Sequence, residues 1–167
     1  MAPSEPISTL PRMPKTQKVL VAFLTAFLLS CVVGTAGASR LTASETSLLT
    51  VINATRASHG LAPLRIDHRL QRTARTHSAD MLRRQYFAHG AFTARVRSSG
   101  AAGPVFGEDL AWGPMSASWV VTAWLNSPEH RRILLRPGFR RIGVGAYQGT
   151  FAGHSGALVV TADFAGR

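Results

Sequence analysis

The hydrophobic residues of this 167-residue chain change their period near residue 139. Before that point they recur mainly at steps of three and four, as on one face of a helix. After it, residues 139–147 and 157–164 are rich in Val, Ile and aromatic side chains and indicate two strands, with 149–156 as the hairpin loop between them. Helices followed by strands predict an α+β domain in which helices flank a small antiparallel sheet.

The first two helices have clear start signals. Thr42 and Glu45 fit a capping box, and Gly60 can end the helix that follows. Asp67 is a good N-cap for a second helix. One apolar stripe of that helix is predicted to pack on the core, with its histidine buried as a core residue: Leu70, Ala74, His77 and Met81.

The middle of the chain is read from turn and cap residues. A short helix is predicted at residues 92–97, and residues 108–111 are predicted to start a short strand. Ser116 or Ser118 can cap a third helix. Ser127 is predicted to cap a fourth, because Pro128 then takes the first helical position, where its missing N–H costs nothing. Three tryptophans are predicted to lie in the core or a cleft wall: Trp112, Trp119 and Trp124.

Residues 1–38 have the three-part layout of a secretory signal peptide. Basic residues come first, residues 19–34 are almost entirely apolar, and small residues at 36–38 predict cleavage after Ala38. Two alternatives remain open: a retained membrane anchor, or a lipoprotein acylated at Cys31. Each places residues 39–167, one domain by length, outside the cytoplasm, and the first predicts secretion.

Charge and cysteine content narrow the chemistry. The net charge is +11, and removing Arg12, Lys15, Lys18 and Glu5 with the leader leaves +9, all of it from arginine. Such a charge favours anionic partners such as lipid headgroups or wall polymers, or serves solubility alone. The arginines lack interleaved aromatics, which argues against nucleic acid. Because Cys31 is the only cysteine, residues 39–167 form no disulfide and bind no metal through cysteine.

Seven short motifs then follow one another in a specific order between about residues 48 and 164. They are Asn53-x-x-Arg56, Gly60-Leu61-x-Pro63-Leu64, Leu70-x-x-x-Ala74-x-x-His77-Ser78-x-Asp80-Met81, Tyr86-Phe87-x-His89, Gly107-Glu108-Asp109-Leu110-Ala111, Trp124-x-x-Ser127-Pro128-x-His130-Arg131 and Ile142-Gly143-Val144-Gly145. In this order they resemble the CAP superfamily of cysteine-rich secretory, antigen-five and pathogenesis-related proteins, in its compact bacterial form. The resemblance implies an α-β-α sandwich with a surface cleft.

The resemblance also implies that the cleft holds two histidines and two acidic residues. Three positions carry over directly: His89, Glu108 and His130. The family's second acidic position is Ser127 here, so Glu129 is the candidate substitute. Asp109 replaces the usual Asn and adds a charge beside Glu108, which completes the set of candidate cleft residues.

Two kinds of chemistry are open to such a cleft. His89, His130 and Glu108 are plausible ligands for Zn²⁺ or another divalent ion. Glu108 could equally act as a general base. No serine or cysteine nucleophile has a matching base, which argues against a Ser-His-Asp hydrolase and makes a conventional enzyme the weaker hypothesis. Each of the three residues also has a purely structural alternative, as a helix-end or core side chain.

Three functions follow from these observations. The first function is an extracellular binding module. The resemblance implies it, because members of the CAP superfamily are associated with sterols, lipids and other small apolar ligands, and with host or envelope interactions. The second is a metal-dependent hydrolase or protease that uses the same cleft. The third is a structural envelope protein whose arginines contact anionic polymers.

Overall fold

Five helices and four strands make up the part of the chain that the structure, a computed structural model, describes: residues 40–113 and 116–167. The helices are α1 (Ala43–Ser58), α2 (His68–Arg84), α3 (Phe92–Ser98), α4 (Ala117–Asn126) and α5 (Pro128–Leu134). The strands are β1 (Arg65–Ile66), β2 (Val105–Gly113), β3 (Phe139–Phe151) and β4 (His154–Gly166). The signal-peptide prediction and its Cys31 alternative lie outside the described residues.

The strands form one sheet in the order β1-β3-β4-β2. β4 pairs antiparallel with both neighbours, whereas β1 runs parallel to β3. The α+β prediction is confirmed, but the sheet is mixed and not purely antiparallel. The parallel strand was missed because its two residues are too few to show any period.

Helices cover both faces of the sheet. On one face α1, α4 and α5 bury a continuous apolar core, which includes Leu48, Trp124 and Leu134 against Ile142 and Phe164. On the other face lies α2, whose predicted stripe is fully or almost fully buried. The three layers form the α-β-α sandwich that the resemblance implied.

Helix α2 lies directly on the backbone of β3. A Cβ added at Gly143 would lie 2.0 Å from the carbonyl carbon of Leu70, so only glycine allows this approach. β1 is too short to pair with Val144, and Gln71 takes its place: its Nε2 donates to Val144 O at 2.5 Å and its Oε1 accepts from Val144 N at 2.8 Å. A side chain of α2 thereby completes the sheet edge.

The β3–β4 hairpin is tighter than predicted. The strands are joined by Ala152 and Gly153 alone, with φ angles of 49° and 82°. Two consecutive positive φ values match the two-residue turn whose twist suits antiparallel strands. The predicted loop 149–156 was too long, because its glycines and polar residues mark no strand by hydrophobicity although their backbone still pairs.

Most predicted caps are present, with one exception. Thr42 and Glu45 form the capping box, Asp67 accepts from two backbone N–H groups of α2, and Ser116 caps α4. Ser127 occupies the N-cap of α5, but its side chain makes no capping hydrogen bond. Its backbone N–H is already bonded to the last turn of α4, so the residue serves two helices at once.

The tryptophan prediction is wrong at one position. Trp124 is buried and its Nε1 donates to Leu110 O at 2.9 Å, and Trp112 packs edge-on against Phe151. Trp119, in contrast, is 56% exposed. It lies off the helical stripe that buries Val120 and Trp124, so the period of α4 explains its exposure.

Candidate functional site

The centre of the site is a buried carboxylate beneath an exposed imidazole. Nδ1 of His89 lies 2.7 Å from Oε1 of Glu108. The side chain of His89 is 54% exposed, whereas that of Glu108 is 1% exposed. A carboxylate acceptor fixes the hydrogen on Nδ1, so Nε2 of His89 is the atom left for a ligand.

Arg95 holds the other oxygen of this carboxylate. Its Nη2 donates to Oε2 of Glu108, and its Nη1 donates to the backbone oxygen of His89 at 3.2 Å. Arg95 therefore fixes both members of the His89–Glu108 pair. No sequence pattern distinguishes it from the chain's other arginines, because only the packing of α3 brings it to β2.

Local structure keeps His89 in place. The loop that carries it leaves α2 at Gln85, whose φ of 55° ends the helix. Nε2 of the buried His77 lies 3.0 Å from Ala88 O and holds the loop one residue before His89. Burial lowers the pKa of His77 to about 4, so this imidazole is neutral in the folded protein. The prediction that His77 is a core residue is confirmed.

A second acidic residue, Asp163, lies beside Glu108. The two are directly opposite in the β2–β4 register, and the buried Oδ1 of Asp163 has no hydrogen-bond partner. Thr73 Oγ1 also lies 2.6 Å from Asp163 Oδ2, in hydrogen-bond contact. Burial raises the pKa of Asp163 to about 8 and also raises that of Glu108.

Because its raised pKa lies above 7, Asp163 carries a proton near neutral pH. The positive charge of Arg95 opposes the effect of burial on the pKa of Glu108. Sequence reasoning missed Asp163. An acidic residue in the middle of an otherwise apolar strand was the available signal.

His130 approaches the pair from α5. It is half-buried, and burial together with the charge of His89 lowers its pKa. Burial and the charge of Arg95 also lower the pKa of His89. Within residues 40–113 and 116–167, no hydrogen bond joins His130 to His89 or Glu108. His130 is a neighbour of the hydrogen-bonded pair and not a member of it.

The other two candidate residues lie elsewhere. Asp109 follows Glu108 on β2, so its side chain points to the opposite face of the sheet, where it is fully buried. Neither of its carboxylate oxygens has a hydrogen-bond partner, and burial, with a smaller effect of Glu108, raises its pKa to about 8. Glu129 is exposed on α5, where its charge offsets part of the lowering of the pKa of His130.

Comparison with known proteins places this site in a family. The sequence model described as "CAP: Cysteine-rich secretory protein family" matches residues 49–164, more than half of the chain. The chain belongs to the CAP family. YkwD of Bacillus subtilis, named as an uncharacterized protein, is 38% identical over 116 residues, which are 66% of this chain and 45% of that protein.

Solved structures agree with this fold. An extracellular protein of Bacillus anthracis that contains an SCP domain superposes with a TM-score of 0.65 at 26% identity, over 74% of this chain and 40% of that one. An outer surface protein of Borrelia burgdorferi gives 0.61 at 25% identity, over 72% of this chain and 90% of that one. The CAP domain thus spans less than half of YkwD and of the B. anthracis protein. Among the helices of residues 40–113 and 116–167, none has the length and hydrophobicity of a transmembrane segment.

The CAP cleft of this chain does not have the geometry of a metal centre. Among the described residues, no group of three or more His, Cys, Asp or Glu side chains is arranged to hold a metal ion. Both oxygens of Glu108 are already engaged, one by His89 and one by the cationic Arg95. Within the described residues, the predicted ligand set of His89, Glu108 and His130 is therefore not assembled as a Zn²⁺ centre.

A groove of about 1180 Å³ runs along α2 and α3 of the CAP domain. Its walls include aromatic and small apolar side chains, namely Tyr86, Ala91, Ala94 and Tyr147. Arg95 lines this groove and also holds Glu108, so the groove adjoins the His89–Glu108 pair. The walls also carry charged side chains, namely Arg72, Arg75, Arg83 and Asp80. A groove that combines apolar surface with polar groups is typical of small-molecule sites.

Proposed function

We propose that this CAP domain is an extracellular binding module that holds a small, largely apolar ligand at the cleft formed by His89, Glu108 and His130. The observation that carries the proposal is the buried carboxylate of Glu108, held between Arg95 and an exposed imidazole. Burying a charge is costly unless its partners are fixed, so such an arrangement needs a reason beyond packing.

The ligand has an apolar body and one polar group. Nε2 of His89 can bind a hydroxyl or carboxyl group, and the adjoining groove beside Tyr86 and Ala94 can cover the apolar part. A sterol or a fatty acid has this chemistry. Because the pKa values of His89 and His130 are both lowered, the two imidazoles are neutral at pH 7 and add no charge to the cleft.

Direct binding to the domain 39–167 tests this proposal. The probes are dehydroergosterol and a fluorescent fatty acid, each titrated against wild type, His89→Ala and His130→Ala. Loss of one hydrogen bond predicts about a three- to tenfold weaker affinity for His89→Ala. His154→Ala is the matched control, because His154 is exposed on the hairpin and should bind as wild type does.

Equal affinity of all four proteins, with unchanged melting temperatures, would place the ligand elsewhere. Failure of wild type to bind either probe would remove the sterol and fatty-acid assignment.

The extracellular location is supported by the signal-like leader and by two structural relatives named as extracellular or outer-surface proteins. Expression of the full chain in a Gram-positive host, with N-terminal sequencing of the exported protein, tests it. We expect cleavage after Ala38. The variant Cys31→Ala separates cleavage after Ala38 from acylation at Cys31. Cleavage after Ala38 predicts unchanged export of this variant, whereas the substitution would abolish acylation. A protein found intact in the cytosol would contradict the proposal.

A further inference from the structure

Folding makes the surface of this domain more cationic than its composition suggests. Residues 39–167 contain 16 arginines and seven acidic residues. Four of those seven are at most 3% exposed: Glu45, Glu108, Asp109 and Asp163. Of the rest, Asp67 lies against Arg141 and Asp80 against Arg83. Most of the arginines are left at the surface with few acidic neighbours.

Arginines line more than one groove, and the one between the end of α5 and the start of β3 has no acidic residue among the described residues of its walls. This arginine groove, of about 610 Å³, is lined by four arginines: Arg131, Arg132, Arg136 and Arg167. All four are exposed. Within residues 40–113 and 116–167, none forms an ion pair with an acidic side chain. Its remaining walls are Pro128, Leu135, Pro137 and Gly138, which carry no side-chain charge.

A buried arginine compensates the negative end of helix α5 at the groove. The last carbonyls of a helix carry partial negative charge and would oppose an anion. Here the buried Arg56 donates to Leu134 O at 2.7 Å and to Arg136 O at 3.2 Å. A cation beneath the groove thus occupies the carbonyls at the end of α5. Arg136 is held 5.6 Å over the ring of Phe139, which orders its guanidinium.

We propose that the arginine groove is a docking surface for a linear, phosphate-bearing polymer of the cell envelope, separate from the His89–Glu108 cleft. One guanidinium group can donate two parallel hydrogen bonds to the oxygens of a phosphate. A groove accommodates a chain better than a flat surface does. The envelope location rests on the extracellular function proposed above, whereas the phosphate chemistry rests on the groove alone.

The groove favours a polymer over two other anionic partners. Among the described residues, the large exposed hydrophobic side chains are Phe87, Trp119 and Tyr147, and none of them lines the groove. A bilayer would need such side chains to insert. The groove also has no aromatic wall on which bases could stack, as single-stranded nucleic acids require.

The test compares two triple variants of the domain 39–167 that lose the same charge. One carries Arg131→Gln, Arg132→Gln and Arg136→Gln; the control carries Arg40→Gln, Arg84→Gln and Arg97→Gln, at exposed positions outside the groove. Each is titrated with poly(glycerol phosphate), and separately with phosphatidylglycerol vesicles, at low and moderate salt. We expect at least a tenfold loss of polymer affinity in the groove variant and less than a threefold loss in the control.

Equal losses in both variants would overturn the proposal in favour of diffuse charge. Vesicle binding without polymer binding would replace the polymer by a membrane surface, and absence of polymer binding to wild type at low salt would refute docking altogether. The His89→Ala variant should bind the polymer as wild type does. A failed sterol or fatty-acid titration and a failed polymer titration can therefore be told apart.

Discussion

Replacing Arg56 should destabilise the domain more than replacing any exposed arginine. This side chain is fully buried, and the structure shows no acidic partner for it among the described residues. Its guanidinium instead donates to four backbone carbonyls, those of Ala62, Leu134, Arg136 and Phe139. One side chain thereby joins the end of α1 to the end of α5 and the start of β3. Burial, and the charge of Arg140, lower its pKa.

The magnitude follows from the carbonyls left without a donor. Two of the four hydrogen bonds, to Leu134 O and Phe139 O, are fully buried. Each buried carbonyl without a partner costs about 1–3 kcal/mol. Arg56→Met keeps most of the side-chain volume but leaves these carbonyls without a donor. Removing the guanidinium also removes its desolvation cost, which offsets part of the loss, so the free energy of unfolding should fall by about 2–5 kcal/mol. Arg56→Lys should recover only part of this, because an ammonium cannot reach carbonyls on three segments.

Urea unfolding of the domain 39–167, followed by circular dichroism, measures these differences. Arg72→Met is the matched control, since Arg72 is exposed on α2 and should change stability by less than about 0.5 kcal/mol. A loss in Arg56→Met no larger than in Arg72→Met, or full rescue by Arg56→Lys, would refute this account of the Asn53-x-x-Arg56 motif.

Three further predictions concern stability. Burial raises the pKa of Asp109 to about 8, so the folded state keeps a proton that the unfolded chain releases, and the free energy of unfolding should fall as pH rises from about 4 to 8. Urea unfolding at pH 5 and pH 8 should show a smaller fall for Asp109→Asn than for wild type. Burial lowers the pKa of His77 from 6.5 to about 4, so acidification through this range protonates this side chain only in the unfolded chain and lowers the free energy of unfolding. Between pH 6.5 and 4, His77→Gln should therefore lose less stability than wild type. Gly143→Ala should lower the melting temperature far more than Ala152→Gly, because its Cβ would meet the backbone of α2 whereas Ala152 lies in the hairpin turn.

The helix starts could be predicted because their signals are local. A capping box joins residues three apart, so Thr42 and Glu45 identify α1 without any knowledge of the fold. The same holds for Asp67 at α2. The strand ends could not be predicted in this way, since Gly149 and Thr150 pair through their backbone, which side-chain hydrophobicity does not report.

The site was predictable only in part, for a related reason. The resemblance supplied His89 and Glu108, and the structure places them in hydrogen-bond contact. Arg95 and Asp163 complete the polar cluster, yet they come from a short helix and from the last strand. Only the register of β2 with β4 and the packing of α3 bring these partners together, and no local pattern encodes either.

The burial of acidic side chains underlies both proposals. Burying four acidic residues costs stability unless each is paired or protonated. Glu45 is paired with Arg75, and Glu108 with His89 and Arg95, while Asp109 and Asp163 are kept neutral by their raised pKa values. The same burial places a fixed carboxylate under the cleft and leaves the outer surface to arginine. The cleft of His89, Glu108 and His130 and the arginine groove share no residue, so the two sites can act on different partners.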